Sequence, residues 1–196
     1  MKGAGVKKPT KILWLDCETT GTDPVKNDIW QFAYLIEIDG EIVDGENMYI
    51  RPYNTKNIEE RALEIGGTTI TKLLEIELDT RQAVANIKNR WAKYIDKYNR
   101  DDKFVMAGYW IHFDNGFLRQ TFKKAGDKYG IGSWCFSPCI DVAAFVAVAI
   151  AKHGFRFPNY KLETVCDRLG IPIEAHDALS DIHATRTLYQ ALGGLR

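Results

Sequence analysis

Ile12-Leu13-Trp14-Leu15-Asp16-Cys17-Glu18 decides the fold. Through Leu15 it is apolar on both alternating faces, the pattern of a strand covered on both sides of a sheet. The stretch therefore predicts a central strand. Its end carries two carboxylates two residues apart, and alternation points Asp16 and Glu18 to the same face. At about 4 Å two such charges repel by roughly 4 kcal/mol at an effective dielectric of 20. A strand end in solvent, a basic partner, a raised pKa or a divalent cation would each offset that cost, and the pair alone does not choose among them.

Working outward, Thr19 to Asp28 (TTGTDPVKND) has loop composition, with Gly21 and Pro24 as breakers. Ile29–Ile38 and Glu41–Arg51 flank Asp39-Gly40, a two-residue hairpin signal, so the chain opens with three antiparallel strands. After Pro52 the period changes. Asp79 and Gln82 have capping-box spacing, and Val84, Ile87, Trp91, Ile95 and Tyr98 recur as one stripe of a long amphipathic helix. Lys103–Trp110 reads as a short apolar strand. A helix follows from about Asp114, with Phe117, Leu118, Thr121 and Phe122 on one face and Gly126 at its end. Trp134–Ile140 reads as a fifth strand and Asp141–Lys152 as a buried helix, with Lys161–Leu169 and Asp177–Ala191 as the last two helices. The sum is an α/β fold: a mixed five-stranded sheet, three antiparallel strands then two parallel, with helices on both faces. Residues 1–10 are expected to form a disordered lead and 11–196 a single domain without repeat or linker.

The chain has 196 residues, 26 Lys+Arg against 26 Asp+Glu, and 45% hydrophobic residues. A chain of this length buries about 70% of its unfolded surface and needs no disulfide or metal staple. Zero net charge excludes a broad electrostatic hold on nucleic acid, so a polyanionic substrate must be held locally. Cys17, Cys135, Cys139 and Cys166 lack the density and spacing of a secreted framework or a zinc site, and read as buried thiols of a cytoplasmic protein. Val142–Ala151 (VAAFVAVAIA) is about half the ~20 residues needed to span a bilayer, which predicts no membrane association.

Two further carboxylates bear on the pair. Asp114 follows the apolar strand, at the sheet end where α/β sites are built. Asp181 lies in the first turns of the last helix. His176 precedes it by five residues, which on a helix would set the two about 140° apart. His176 is therefore placed in the loop ahead of the helix, at the mouth of the site.

Asp16-Cys17-Glu18-Thr19-Thr20-Gly21, His112-Phe113-Asp114 within GYWIHFDNGFL, and His176–Thr185 (HDALSDIHAT) resemble, in order, the three motifs of the DEDDh or DnaQ-like 3′-to-5′ exonucleases, of ribonuclease H-like fold. Ala62–Thr68 (ALEIGGT) is similar to a family segment near the substrate's 3′ end, and Lys161–Cys166 before Leu169-Gly170-Ile171 is a further partial match. The resemblance covers about residues 10–192. It implies that Asp16, Glu18, Asp114 and Asp181 gather around two Mg²⁺ or Mn²⁺ ions and that His176 is the general base. Hard oxygen ligands suit such ions. It further implies that Thr19, Thr20, Gly21, Leu63, Gly67, Trp110 and Phe113 meet the terminal nucleotides. The implied reaction is 3′-to-5′ hydrolysis of single-stranded nucleic acid, DNA being the expected substrate, with release of nucleoside 5′-monophosphates. An oligoribonuclease-like exoribonuclease and a non-catalytic end-binding or protein-interaction module on the same fold are the alternatives.

This chain departs from the family at two places. Trp110 stands where many relatives carry Asn, and Gly66 where many carry His. At the end of an apolar strand, Trp110 reads as a core aromatic in preference to a base-stacking one. Lys152–Lys161 (KHGFRFPNYK) interleaves cations, Arg156 among them, with aromatics. Either it grips a single strand by stacking and local charge, or its phenylalanines pack under the loop. His112 and His183 read as scaffold or surface residues. The partners expected are a single-stranded DNA or RNA 3′ end and a polymerase or replication protein, with the oligomeric state open.

Overall fold

The computed structural model describes residues 9–173 and 177–193. Its sheet runs β3-β2-β1-β4-β5, with β1 (Lys11–Thr19) in the centre. β2 (Ile29–Ile38) pairs antiparallel with β1 from Lys11↔Ile38 to Glu18↔Gln31, and β3 (Glu41–Tyr49) continues the meander. β4 (Val105–Gly108) and β5 (Ile140–Asp141) extend the other side in parallel. The expected mixed sheet is the one found. Asp39 and Gly40 take φ of 51° and 94°, the left-handed pair that a two-residue hairpin turn demands.

Alternation along β1 feeds two cores. Leu13, Leu15 and Cys17 face Phe32, Tyr34, Trp91 and Phe122. Ile12 and Trp14 face Ala107, Val142, Leu188 and Tyr189. By the same parity Asp16 and Glu18 belong to the second side, which α7 (Ala178–Ala191) covers. α3 (Thr80–Trp91) and α4 (Ile111–Lys124) pack the first side through Val84, Ile87, Trp91, Phe117, Leu118 and Phe122. The reciprocal Asp79–Gln82 capping box starts α3 as expected.

Several expectations are corrected. α3 ends at Trp91, and although Ile95 is buried, Tyr98 is 85% exposed and does not extend the stripe. β4 stops at Gly108, and Trp110 is not a strand residue. It adopts φ 55°, ψ 38° as the residue leading into α4, and it is 58% exposed, so the core reading fails. The chain turns from β4 into α4 within two residues, and the reversal leaves the indole outside. The fifth strand is confined to Ile140–Asp141. Trp134 instead closes a 3₁₀ turn at Ile131–Ser133, and Cys135 makes an isolated bridge to Phe104. α5 (Val142–His153) buries Val142, Ala143 and Val146 but leaves Val148 52% exposed; one face of this apolar helix packs and the other meets solvent. Two short helices, α1 (Glu60–Ile65) and α2 (Ile70–Leu74), went unforeseen. α6 (Leu162–Leu169) lies as expected. All four cysteines are free thiols, Cys139 being only half-buried. Among the described residues no helix is long and apolar enough to cross a membrane.

Candidate active site

The C-terminal half of β1 presents Asp16 and Glu18 toward α7. Asp177 caps that helix by accepting the Ser180 N–H at 2.9 Å, which puts Asp181 in the first turns, above the strand. One carboxylate oxygen from each of Asp16, Glu18 and Asp181 lies within 4.8 Å of the other two. Asp114 arrives from the opposite face. The Phe117, Leu118 and Phe122 stripe seats α4 on the first core, and one turn earlier Asp114 reaches the end of β1, where its Oδ1 accepts the Cys17 N–H at 3.0 Å. It is 4% exposed. The structure thus brings the four expected carboxylates to one place; His176 lies outside the described residues.

Burial, then the charges of Asp114, Asp181 and Glu18, push the Asp16 carboxyl well above the ordinary carboxylate range. Burial, then Asp181 and Asp114, push Glu18 up to about 8. Asp114 rises to about 7 through burial, partly offset by hydrogen bonds from its own backbone and from Cys17. The Cys17 thiol is pushed up by burial and then by Asp114, so it is no thiolate nucleophile. The donor set fits a hard divalent cation: oxygens only, crowded, and desolvated. Gly66 keeps the approach to Glu18 open, since a Cβ there would lie 2.6 Å from the Trp30 ring and 3.4 Å from Glu18 Oε2.

The other expected residues divide. Thr19 Oγ1 donates to the Gly21 carbonyl at 2.7 Å, and fully buried Thr20 accepts the Asp28 N–H on its hydroxyl at 2.9 Å. A Cβ on Gly21 would meet Glu59 Oε1 at 2.3 Å and Asn27 Nδ2 at 2.4 Å. These three build the turn after β1. Leu63 is buried against Trp30 and Leu73, behind the surface. Gly67, at φ 61°, faces open space beside a hollow of about 330 Å³ that Trp30, Lys72 and Asp177 also line. Phe113 is 41% exposed and packs on Phe117 at 4.8 Å. Arg156 is exposed, and its Nη1 donates to the Phe155 carbonyl of its own loop. In that loop Phe157 is half-buried and Phe155 exposed, so packing under the loop accounts for only one of the two phenylalanines.

Sequence reasoning missed a groove of about 480 Å³ lined by Ile65, Tyr109, Trp110, Tyr160, Leu162 and Ile173, with Asp181 at its edge. Tyr160, in the interleaved loop, and Trp110, which the resemblance set near the terminal nucleotides, were its local signals. A larger hollow of about 560 Å³ lies at the other end of β1, where Tyr94 and Asp102 bind the Lys11 ammonium.

The chain resembles known proteins along nearly its whole length. It is 27% identical to the DNA polymerase III PolC-type of Thermotoga petrophila over 89% of this chain, and it spans only 11% of that polymerase's length. It is 26% identical to the mitochondrial oligoribonuclease of Saccharomyces cerevisiae, over 87% of this chain and 62% of that one. Among solved structures, E. coli exonuclease I with a 5cy-dT13 oligonucleotide superposes with a TM-score of 0.75 at 22% identity, covering 92% of this chain and 40% of that one, a likeness of fold. The family model for exonucleases of the RNase_T type matches residues 13–189, a span that takes in Asp16, Glu18, Asp114 and Asp181 together. With its mixed sheet and its acids gathered at the end of the central strand, this chain belongs to the RNase_T exonuclease family, a DnaQ-like family of ribonuclease H-like fold.

Proposed function

We propose that the protein is a metal-dependent 3′-to-5′ exonuclease that acts on single-stranded DNA and releases nucleoside 5′-monophosphates. One observation carries the reading: the carboxylate oxygens of Asp16, Glu18 and Asp181, within 4.8 Å of one another, beside buried Asp114. Asp16, Glu18 and Asp181 would hold Mg²⁺ or Mn²⁺, with Asp114 completing the set for a second ion. Bound ions of this kind supply a water of lowered pKa and neutralise the charge that builds on the phosphoryl oxygens.

The chain's own groups do the rest. His176 takes the proton of the attacking water as its oxygen bonds to phosphorus and the P–O3′ bond breaks, and the leaving 3′-oxygen takes up a proton from solvent. The shortened strand keeps a 3′-hydroxyl. Asp114, anchored by the Cys17 N–H, holds its carboxylate in one orientation at the strand end. Asp177, by capping α7, fixes the height of Asp181 over β1.

The similarity to PolC-type polymerases favours DNA and a polymerase or replication partner. A second reading, an oligoribonuclease-like exoribonuclease, is favoured by the similarity to the yeast enzyme. Both are tested with 5′-labelled DNA and RNA of one sequence, with free and blocked 3′ ends, in Mg²⁺ and in Mn²⁺. The expected result is stepwise shortening from the 3′ end, stopped by the block and by EDTA, and faster on DNA. Cleavage that ignores the block or persists in EDTA overturns the function; faster loss of RNA selects the second reading.

A further inference from the structure

We propose that Trp110 is a stacking platform for an unpaired nucleobase, and that the apolar groove it walls beside Asp181 is how this chain holds a single-stranded end. The inference rests on the exonuclease reading and adds the substrate contact that sets its preference for unpaired ends.

Three large apolar side chains converge there in solvent: Trp110 is 58% exposed, Ile65 51% and Tyr160 46%. With Leu162 and Ile173 they line about 480 Å³, within the range of roughly 300–1,000 Å³ usual for small-ligand clefts. Asp181 closes one edge, so a group in this groove is continuous with the carboxylate cluster. Lys161 and Glu163 share the lining and form an exposed ion pair at 3.6 Å, weak enough for a neighbouring phosphate to compete for the ammonium. With zero net charge overall, the chain has little broad field with which to hold a strand. Stacking on an aromatic face needs no such field and tolerates every base.

The mounting of the indole supports the assignment. Trp110 occupies the left-handed region, which glycine or asparagine enters readily and a bulky residue rarely does. Its surroundings over-determine it. Its N–H donates to Asp141 Oδ1 at 3.1 Å, the same oxygen that accepts the Ala143 N–H at the start of α5. Its carbonyl accepts the Phe113 N–H at 2.9 Å. Tyr109 stands edge-on to the indole at 6.2 Å, and its hydroxyl donates to the Tyr160 carbonyl at 2.6 Å, tying the facing wall to the same strand end. A strained, exposed tryptophan on a rigid frame gains nothing from core packing; a ligand's flat face gives it a role.

The test pairs Trp110→Gly, which suits the backbone, with Trp110→Phe, which keeps a ring. Binding of a fluorescent single strand is read by anisotropy in EDTA, and KM is read in Mg²⁺. Both are repeated on strands carrying one abasic site at each of the three 3′-terminal positions in turn. Trp110→Gly is expected to weaken binding and raise KM about tenfold, with Trp110→Phe recovering most of it. At one position the abasic site should cost the wild type about the same tenfold and cost Trp110→Gly nothing further. Binding and KM within twofold of wild type, or equal added losses from every abasic site in both proteins, overturn the platform. Wild-type inactivity on every strand would instead overturn the exonuclease reading, while the anisotropy series still decides the groove.

Discussion

Two Asp-x-Glu pairs lie in the same sheet with identical spacing and opposite fates. Asp44-Gly45-Glu46 sits on β3, where Arg90 from α3 binds both carboxylates and donates to the Gly45 carbonyl at 3.0 Å. Burial alone would raise Asp44, but the Arg90 hydrogen bond and charge, with the Gly45 N–H, hold its carboxyl below the ordinary value. Asp16-Cys17-Glu18 sits on β1, where the neighbours that shift Asp16 and Glu18 are other acids and every shift is upward. The β3 pair is complete within the protein. The β1 pair sits instead in an oxygen-only cluster with Asp181, a donor set that suits a divalent cation. Spacing does not distinguish the two; what packs over each strand does.

The largest expected difference is functional. Asp16→Ala should lower exonuclease activity by about 10³-fold, the scale of losing preorganised charge stabilisation, without lowering the melting temperature in EDTA at pH 8. Gel-resolved degradation and thermal melts of the purified variant check both; full activity would dissolve the contrast between the pairs.

Next is the response to pH and metal. Unfolded carboxyls titrate near 4, whereas folded Glu18 and Asp114 titrate at about 8 and about 7. The folded state binds their protons more tightly, so the stability they contribute is full below about pH 4 and is lost as pH rises through 7 to 8. Without metal the melting temperature should fall across that window. Mg²⁺ or Mn²⁺ at about 100 times its Kd should restore about 2.7 kcal/mol, or roughly 5–10 °C at pH 8. Melts in EDTA and in metal at pH 5 and 8 read it directly, and a metal effect as large at pH 5 as at pH 8 would contradict it.

Arg90→Ala probes the other pair and should do the reverse. It leaves Asp44 half-enclosed without its partner, costing about 2 kcal/mol of stability, between exposed and buried ion pairs, with kcat/KM within about twofold of wild type. Urea denaturation and kinetics on the same preparation separate the two effects. The smallest expected effect on stability is at Trp110: Trp110→Gly removes about 1 kcal/mol of left-handed strain, partly offset by glycine's freedom in the unfolded chain. Its melting temperature should equal or slightly exceed that of wild type, and a clear drop would mean that the indole serves packing.

Much of the fold was written locally. The two-sided apolar run of Ile12–Leu15, the Asp39-Gly40 turn and the Asp79–Gln82 box each act within a few residues, and each stands where expected. The four carboxylates were found by motif, and the shared face of Asp16 and Glu18 by alternation. Trp110 was misread because an apolar run does not reveal where a strand stops, and Val142–His153 because composition does not say how many faces of a helix are covered. Thr20 and Leu63 follow the family motif, yet their side chains are turned inward by the turn and by the Trp30 cluster.

The sequence by itself determined the central strand, the hairpin, the helix starts and the parity that puts Asp16 beside Glu18, because alternation and capping are set by neighbours along the chain. Only the tertiary structure decided that Asp181 would descend on them from one core while Asp114 crossed from the other to bond Cys17, 97 residues away. It also decided that Asp44 and Glu46 would meet an arginine and that Asp16 and Glu18 would meet Asp114 and Asp181. The residues that set the charge on each pair come from elements far away in the chain, and packing alone brings them together.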